Sequence, residues 1–196
     1  MSATPQPRLT PEQYLELERA AEFRSEYYGG FMYAMSGGSM PHALVINGVA
    51  VELSNALRDR ACLVMTSDMR IRVSYEGLYT YPDVVVVCGK PKLVDSHNDI
   101  VLNPTVLVEV LSPSTEGYDR GFKFQQYQRI ESLQEYALVS QHEPRVEVFR
   151  RQPEGKWLLE EFVGMQSKCR FESIDCSIDL AAIYARVEFG PEAPPR

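Results

Sequence analysis

The amino-acid sequence predicts an α/β (α+β) fold in which helices pack on a mixed central β-sheet. Two observations favour it. Apolar residues recur at helical spacing in two long segments, and short runs rich in Val and Leu are typical of buried strands. These segments follow one another as helix, three strands, helix and strand, an order that suits one layered core. Because 196 residues with 44% hydrophobic content suffice for one sizeable core, we expect a single domain over 1–196, ordered from about 9 to 188.

The first predicted element is a helix that begins after Thr10. Thr10 can cap it, Pro11 fits its first turn, and Gln13 stands where a capping box needs a glutamine. Aromatic residues on both sides of two adjacent glycines then predict a β-hairpin within 22–35. After a loop rich in Ser and Gly, helical spacing of apolar residues predicts a second helix over 42–60.

Alternating strands and helices continue to residue 163. The predicted strands cover 62–73, 82–88, 105–111 and 135–140, a helix covers 117–130, and a C-terminal hairpin covers 145–163. Ser67-Asp68 could break the first of these strands. We expect the core of the fold at about 42–140, with the N-terminal and C-terminal hairpins as additions. The polar, Pro-containing ends, 1–8 and 190–196, are expected to be disordered.

Composition narrows the classes of function. No apolar run approaches the roughly 20 residues of a membrane span, and no signal-peptide core is present, so we expect a cytoplasmic protein without a membrane partner. The formal net charge of −7 argues against a general nucleic-acid coating protein but does not exclude a nuclease. Cys62 and Cys88 lie in strand-like runs and are expected to be buried thiols. Cys169 and Cys176 lack a usual zinc spacing, and we expect neither a disulfide nor a metal from that pair.

Two carboxylates interrupt otherwise apolar strands. Glu109 lies in the middle of the run 105–111, where burying a lone charge costs several kcal/mol. Asp83 opens the run 82–88 directly after a proline. Taken singly, Glu109 could belong to a buried ion pair and Asp83 could satisfy a turn. Together on consecutive strands they would repel each other unless a proton or cation lies between them, and a hard divalent cation fits that position.

Lys123 is the third candidate. Within the predicted helix 117–130 it shares one stripe with Asp119, Tyr127 and Ile130. Since Tyr127 and Ile130 should face the sheet, Lys123 could point inward as well. A surface ion pair between Asp119 and Lys123 is an equally good interpretation of the same spacing.

The sequence also resembles a known group of proteins. The segments YPDVVVV, LVEVLSPST, DRGFKFQQY and EYALVS, within about 80–140, resemble the PD-(D/E)xK restriction-endonuclease-like superfamily and, more narrowly, its family of bacterial putative restriction endonucleases. The segment EYYGGFMYAMSG and His42 are similar too. Leu111 departs from the superfamily's pattern, because a lysine usually stands there. The resemblance implies that Lys123 supplies that ammonium group from the following helix.

The resemblance implies a mechanism and a set of partners. Asp83, Glu109 and the backbone carbonyl of Val110 would bind Mg²⁺ or Mn²⁺, and Lys123 would orient water or stabilise the developing charge. The substrate would be DNA, hydrolysed at its phosphodiester bonds, and the protein would be a homodimer. Glu26 and His42 would form an outer part of the site. Two alternatives stay open: a non-catalytic nucleic-acid-binding or assembly module, and another metal-dependent hydrolase.

Overall fold

The computed structural model of the protein describes residues 8–189. The disorder expected over 1–8 and 190–196 therefore lies outside the described residues, apart from Arg8, whose guanidinium packs over the ring of Phe31. The helices are α1 (Pro11–Ala20), α2 (Met40–Ala56), α3 (Glu116–Tyr118), α4 (Phe124–Tyr127) and α5 (Leu180–Ile183). The strands are β1 (Ser25–Tyr28), β2 (Phe31–Ala34), β3 (Cys62–Thr66), β4 (Arg70–Arg72), β5 (Tyr79–Thr80), β6 (Val84–Cys88), β7 (Ile100–Val101), β8 (Val106–Leu111), β9 (Glu135–Ser140), β10 (Arg145–Arg151), β11 (Trp157–Val163), β12 (Lys168–Phe171) and β13 (Cys176–Asp179).

The central sheet has six strands in the order β11-β10-β9-β8-β6-β3. It is mixed, as predicted, because β8 and β9 run parallel while the other neighbours are antiparallel. The strands β6 and β8 are buried along almost their whole length, which explains why they read as unbroken apolar runs. The C-terminal hairpin, β10 and β11, extends this sheet at one edge.

The predicted N-terminal hairpin, β1 and β2, belongs to a second sheet with the order β2-β1-β5-β4-β7. The segment 62–73, which could be one strand from its sequence, is broken at Ser67-Asp68, and its halves β3 and β4 lie in different sheets. The short elements β5, β7 and α5 and the two-stranded sheet of β12 and β13 were not predicted. They contain only two to four residues each, too few to show a period.

Apolar side chains fill both faces of the central sheet. On one face, Val84, Val106 and Val108 pack with α2 and with the C-terminal elements β12, β13 and α5. On the other face, Val85 and Leu107 pack with the segment 116–127 and with the second sheet. This alternation follows from the twofold period of a strand, and it decides which face of the sheet receives Glu109.

The helices begin close to their predicted positions. At α1, Thr10 and Gln13 form the capping box, with Thr10 N donating to Gln13 Oε1 over 2.9 Å. The second helix starts two residues earlier than predicted, because Ser39 caps it. Within residues 8–189, none of the helices is long and apolar enough to cross a lipid bilayer.

The expectation of a buried thiol at both Cys62 and Cys88 is wrong, because these residues form a disulfide. They lie directly opposite each other on the antiparallel strands β3 and β6, with their Cα atoms 4.0 Å apart. The spacing of 26 residues along the chain does not reveal this register. Cys169 and Cys176 are free and buried.

Candidate active site

Asp83 and Glu109 face each other at the start of β6. Val84 pairs with Val108 in the antiparallel ladder, so the same register, extended by one residue, sets Asp83 opposite Glu109. Here the carboxylates accept hydrogen bonds from backbone N–H groups. Val110 N donates to Asp83 Oδ2 over 2.7 Å, and Asp83 N donates to Glu109 Oε2 over 3.4 Å. Both carboxylates line one cleft of about 260 Å³, here called the acidic cleft.

Lys123 enters the acidic cleft from the helical segment 116–127. A π turn over Asp119–Lys123 interrupts that segment, and both of its end residues are buried. Such turns are frequent at functional sites. The Lys123 Nζ atom lies 3.1 Å from Glu109 Oε1 and 3.2 Å from Asp119 Oδ1. The predicted Asp119–Lys123 pair is therefore present, but it is buried in the site and not on the surface, and Lys123 points inward.

The ammonium group of Lys123 lies near the carboxylate of Glu109. It comes from the helical segment and not from position 111 of β8, where Leu111 stands. Leu111 is buried and packs in the core on the same face of the sheet as Glu109. Tyr127, one turn after Lys123, donates its hydroxyl to Glu109 Oε1 over 2.7 Å. Glu109 is thus held by two side chains of one helical segment.

Glu26 reaches this cluster from β1 in the second sheet. Its Oε1 atom accepts a hydrogen bond from the Thr80 hydroxyl and lies 3.5 Å from Lys123 Nζ, and its Oε2 atom accepts from the Tyr118 hydroxyl over 2.8 Å. Both carboxylate oxygens are therefore occupied by neutral donors. The structure places Glu26 behind Lys123, as an outer carboxylate of the cluster.

His42 reaches the acidic cleft from the first turn of α2. Its Nε2 atom lies 2.9 Å from the backbone oxygen of Val110 and 3.5 Å from Asp83 Oδ2. Because a carbonyl oxygen only accepts, Nε2 carries a proton in this arrangement. The contact with Asp83 raises the pKa of His42 above its ordinary value, although burial opposes it. A β-carbon at Gly38 would lie 2.7 Å from His42 Nδ1, so the loop before α2 needs glycine there.

Negative charge exceeds positive charge in this cluster. Four carboxylates, those of Glu26, Asp83, Glu109 and Asp119, surround the single ammonium of Lys123. Burial raises the pKa of Glu109 to about 8, with Lys123 opposing the rise and the neighbouring carboxylates adding to it. Burial also raises the pKa of Asp119.

Lys123 keeps its proton in this cluster. Burial disfavours its charge, yet the surrounding carboxylates raise its pKa well above the ordinary value. One ammonium cannot balance four carboxylates. A proton or a further cation must share the cluster.

Glu135, a second buried carboxylate, has hydrogen-bond partners for both of its oxygens. Glu135, which has no exposed surface, accepts from Arg150 Nε over 2.9 Å and from the backbone nitrogens of Glu172 and Ser173 over 2.9 and 3.1 Å. Glu135 thus has a guanidinium and two backbone donors, and Arg150 also contacts the exposed carboxylates of Glu160 and Glu172. In the acidic cleft, by contrast, the buried Oδ1 atom of Asp119 has the ion-pair contact with Lys123 Nζ but makes no hydrogen bond of proper geometry.

The donor set of the acidic cleft suits a hard divalent cation. Carboxylate and carbonyl oxygens are the preferred ligands of Mg²⁺ and similar ions. Within residues 8–189, no three His, Cys, Asp or Glu side chains converge closely enough to enclose an ion by themselves. A metal ion bound by Asp83 and Glu109 would therefore need the backbone carbonyl of Val110 as a further ligand. This carbonyl oxygen and Asp83 Oδ2 both lie near His42 Nε2.

All six residues selected from the sequence thus meet in one region. Asp83, Glu109, Val110, His42 and Lys123 line the acidic cleft, and Glu26 lies behind Lys123. The sequence argument missed the part played by Asp119 and Tyr127. Both stand on the stripe of Lys123, and an acidic residue and a tyrosine spaced four residues from an inward lysine would have been the signal.

Known proteins are similar to this chain over most of its length. The model of the Uma2 family, described as "Putative restriction endonuclease", matches residues 11–179. The uncharacterized proteins slr1290 and sll1609 of Synechocystis sp. are each 35% identical to it, over 189 and 163 residues. These matches cover 95% and 83% of this chain and 97% and 92% of those proteins.

A solved structure shares the fold. The crystal structure of a putative nuclease belonging to DUF820 from Anabaena variabilis matches with a TM-score of 0.72 and 18% identity, over 90% of this chain and 98% of that one. This likeness confirms the predicted restriction-endonuclease-like fold.

Proposed function

Because this chain belongs to the Uma2 family, whose description is putative restriction endonuclease, we propose that it is a metal-dependent nuclease that hydrolyses phosphodiester bonds of DNA. The observation that carries the proposal is the excess of carboxylates around the single ammonium of Lys123, with Asp83 and Glu109 on neighbouring strands. A structural ion pair needs one carboxylate for each cation. The cluster has more, and a divalent ion would balance it.

Asp83, Glu109 and the Val110 carbonyl are the proposed ligands of Mg²⁺ or Mn²⁺. When bound, such an ion lowers the pKa of a coordinated water and neutralises charge on a phosphate. The chain itself fixes the ligands. Val110 N holds Asp83 Oδ2, while Tyr127 and Lys123 hold Glu109 Oε1, so neither carboxylate can rotate freely.

Lys123 is the proposed electrostatic stabiliser. Its ammonium lies at the wall of the cleft, beside the carboxylates and within reach of an anionic substrate. A fixed positive charge in a partly dehydrated site stabilises negative charge that develops on the phosphate. Since Lys123 provides the ammonium, Leu111 does not argue for an inactive protein.

His42 is proposed as a hydrogen-bond donor and proton carrier. Its Nε2 proton points at Val110 O and Asp83, and the contact with Asp83 raises the pKa of the ring, which favours its doubly protonated, charged form. A nitrogen that carries a proton has no lone pair for a metal. The geometry therefore supports a proton carrier over a direct ligand.

Cleavage of supercoiled plasmid DNA tests the proposal. Wild-type protein should cut it with Mg²⁺ or Mn²⁺ and not with EDTA, and Glu109→Gln should lose the activity because the substitution removes a proposed ligand charge. Glu135→Gln is the matched control, since it alters a buried carboxylate outside the acidic cleft that is already paired with the Arg150 guanidinium. It should cut DNA whenever it is folded.

The same assay separates the alternatives. A wild-type protein that binds DNA but leaves it intact in both metals would support a non-catalytic nucleic-acid-binding module. Equal cleavage by wild type and Glu109→Gln would place the activity outside the acidic cleft.

A further inference from the structure

A larger pocket adjoins the acidic cleft. It has a volume of about 640 Å³, within the range of ~300–1,000 Å³ usual for small-molecule sites. The two share a wall formed by Met35, Ser36, Ser114, Thr115 and Lys123. A ligand that lies in the larger pocket can therefore extend directly to the proposed reaction site.

Aromatic rings make up much of this pocket, here called the aromatic pocket. Tyr28, Tyr33, Tyr118 and Phe122 line it. The rings of Tyr118 and Phe122 stack with centroids 5.3 Å apart, and the ring of Tyr28 meets Phe122 edge-on at 4.7 Å. These contacts give the pocket fixed, planar walls.

Tyr33 differs from the other three rings. It is 52% exposed on β2, and within residues 8–189 it forms no pair with another aromatic ring. A large ring exposed at the mouth of a cavity is free to stack on a ligand. Its cross-strand neighbour on β1 is Glu26, which is not aromatic.

We propose that the aromatic pocket receives one unstacked nucleobase of the substrate, next to the phosphate at the acidic cleft. The choice of a nucleobase rests on the proposed nuclease function. Stacking on aromatic side chains suits any base, because each base has a flat π-face. The hydroxyls of Ser36, Ser114 and Thr115, on the shared wall, can bond the polar edge of the base.

Charge favours this mode of binding. Among the described residues that line the acidic cleft and the aromatic pocket, Lys123 is the only lysine or arginine, and the chain carries a net charge of −7. Apart from Lys123 and the proposed metal ion, the phosphate backbone thus finds little neutralisation near the site, although backbone charge dominates most nucleic-acid binding. Contacts with the base must supply a large share of the affinity. A base can enter only from a single strand or after leaving a duplex.

A comparison of two oligonucleotides tests the proposal. One is a fluorescein-labelled single strand with bases, and the other is an abasic strand of the same length and backbone charge. Both are titrated with the full-length wild-type protein in EDTA, where no metal-dependent cleavage occurs, and anisotropy reports binding. One stacked base contributes about 1–3 kcal/mol, so the base-bearing strand should bind about 5- to 150-fold more tightly.

Substitutions at the exposed ring locate the effect. Tyr33→Leu should weaken binding of the base-bearing strand toward that of the abasic strand and leave the abasic strand unchanged. Tyr33→Phe, which keeps the ring, should behave as wild type. Tyr75→Leu is the surface control, because Tyr75 is similarly exposed, at 56%, but lies away from the aromatic pocket.

Three results would overturn the proposal: equal affinity for the two strands, no measurable binding of the base-bearing strand, or an equal loss for both strands in Tyr33→Leu. The outcome is independent of the cleavage assay. Base-dependent binding without cleavage would keep the pocket and reject the nuclease, whereas cleavage without base-dependent binding would reject the pocket alone.

Discussion

Without a divalent ion, the protein should lose stability as the pH rises from about 5 to 8. The folded-state pKa of Glu109 is raised by burial from its ordinary value of 4.5 to about 8. Between these values the folded protein binds a proton that the unfolded chain has released. Unfolding then takes place with loss of a proton, so the free energy of unfolding falls as the pH increases.

The size of the loss follows from the pKa difference. Each tenfold change in proton affinity corresponds to about 1.4 kcal/mol, so a rise from 4.5 to about 8 corresponds to roughly 4–5 kcal/mol. That is a large part of the ~5–15 kcal/mol by which a small protein is usually stable. His42 and Asp119, whose pKa values are also raised, change stability in the same direction.

Urea unfolding followed by circular dichroism, at pH 5, 6, 7 and 8, measures this effect. In EDTA, wild type should show the full decrease, and Glu109→Gln should show only the smaller part that His42 and Asp119 contribute. With saturating Mn²⁺ the part of the decrease that Glu109 contributes should disappear in wild type, because the ion binds the deprotonated carboxylates of the folded state. Glu135→Gln should keep both the pH dependence and the response to Mn²⁺.

Two results would refute this reasoning. The same decrease in wild type and Glu109→Gln would mean that Glu109 is already fully compensated by Lys123. An equal response to Mn²⁺ in those two proteins would place the ion at another site.

Further perturbations test other parts of the structure. Lys123→Met should lower cleavage by a factor of ~10²–10³. It should also destabilise the protein by ~3–5 kcal/mol, because it leaves buried carboxylates uncompensated. Full cleavage activity of this variant would assign the lysine to folding alone. Gly38→Ala should slow cleavage, because its β-carbon would displace the His42 imidazole. Gly37→Ala, whose β-carbon would meet nothing within 4 Å, should cleave at the wild-type rate. Equal rates for the two variants would contradict this. Dithiothreitol should lower the free energy of unfolding by ~3 kcal/mol, since the disulfide closes a loop of 26 residues, and the double variant Cys62→Ala/Cys88→Ala should not respond to it.

Much of the fold was predictable because local pattern and tertiary contact agree. The strand β9, Glu135–Ser140, has the bounds predicted for it, and the C-terminal hairpin falls within 145–163 as predicted. Helix α1 begins where its capping residues indicate. The second sheet could not be predicted, because β5 and β7 have two residues each and exist only through pairing with distant strands.

The candidate site, too, was predictable only where its properties depend on local sequence. The cost of burying Glu109 in an apolar strand is a local property, so the sequence alone singled it out, with Asp83 as its partner. The direction of Lys123 is not local. A π turn within 116–127 sets which side of the segment faces the sheet, and a regular helix was the only geometry that spacing could suggest.

By itself, the sequence determined which side chains are too costly to bury without a purpose, because that cost depends on residue type and on the apolar run around it. Only the tertiary structure decided how the charges balance, since counting partners requires distances between β1, β6, β8 and the segment 116–127. It also decided the disulfide of Cys62 and Cys88, through the register of β3 on β6. A strand's register and a helix's rotation arise from packing against distant segments, and no short stretch of the chain encodes them.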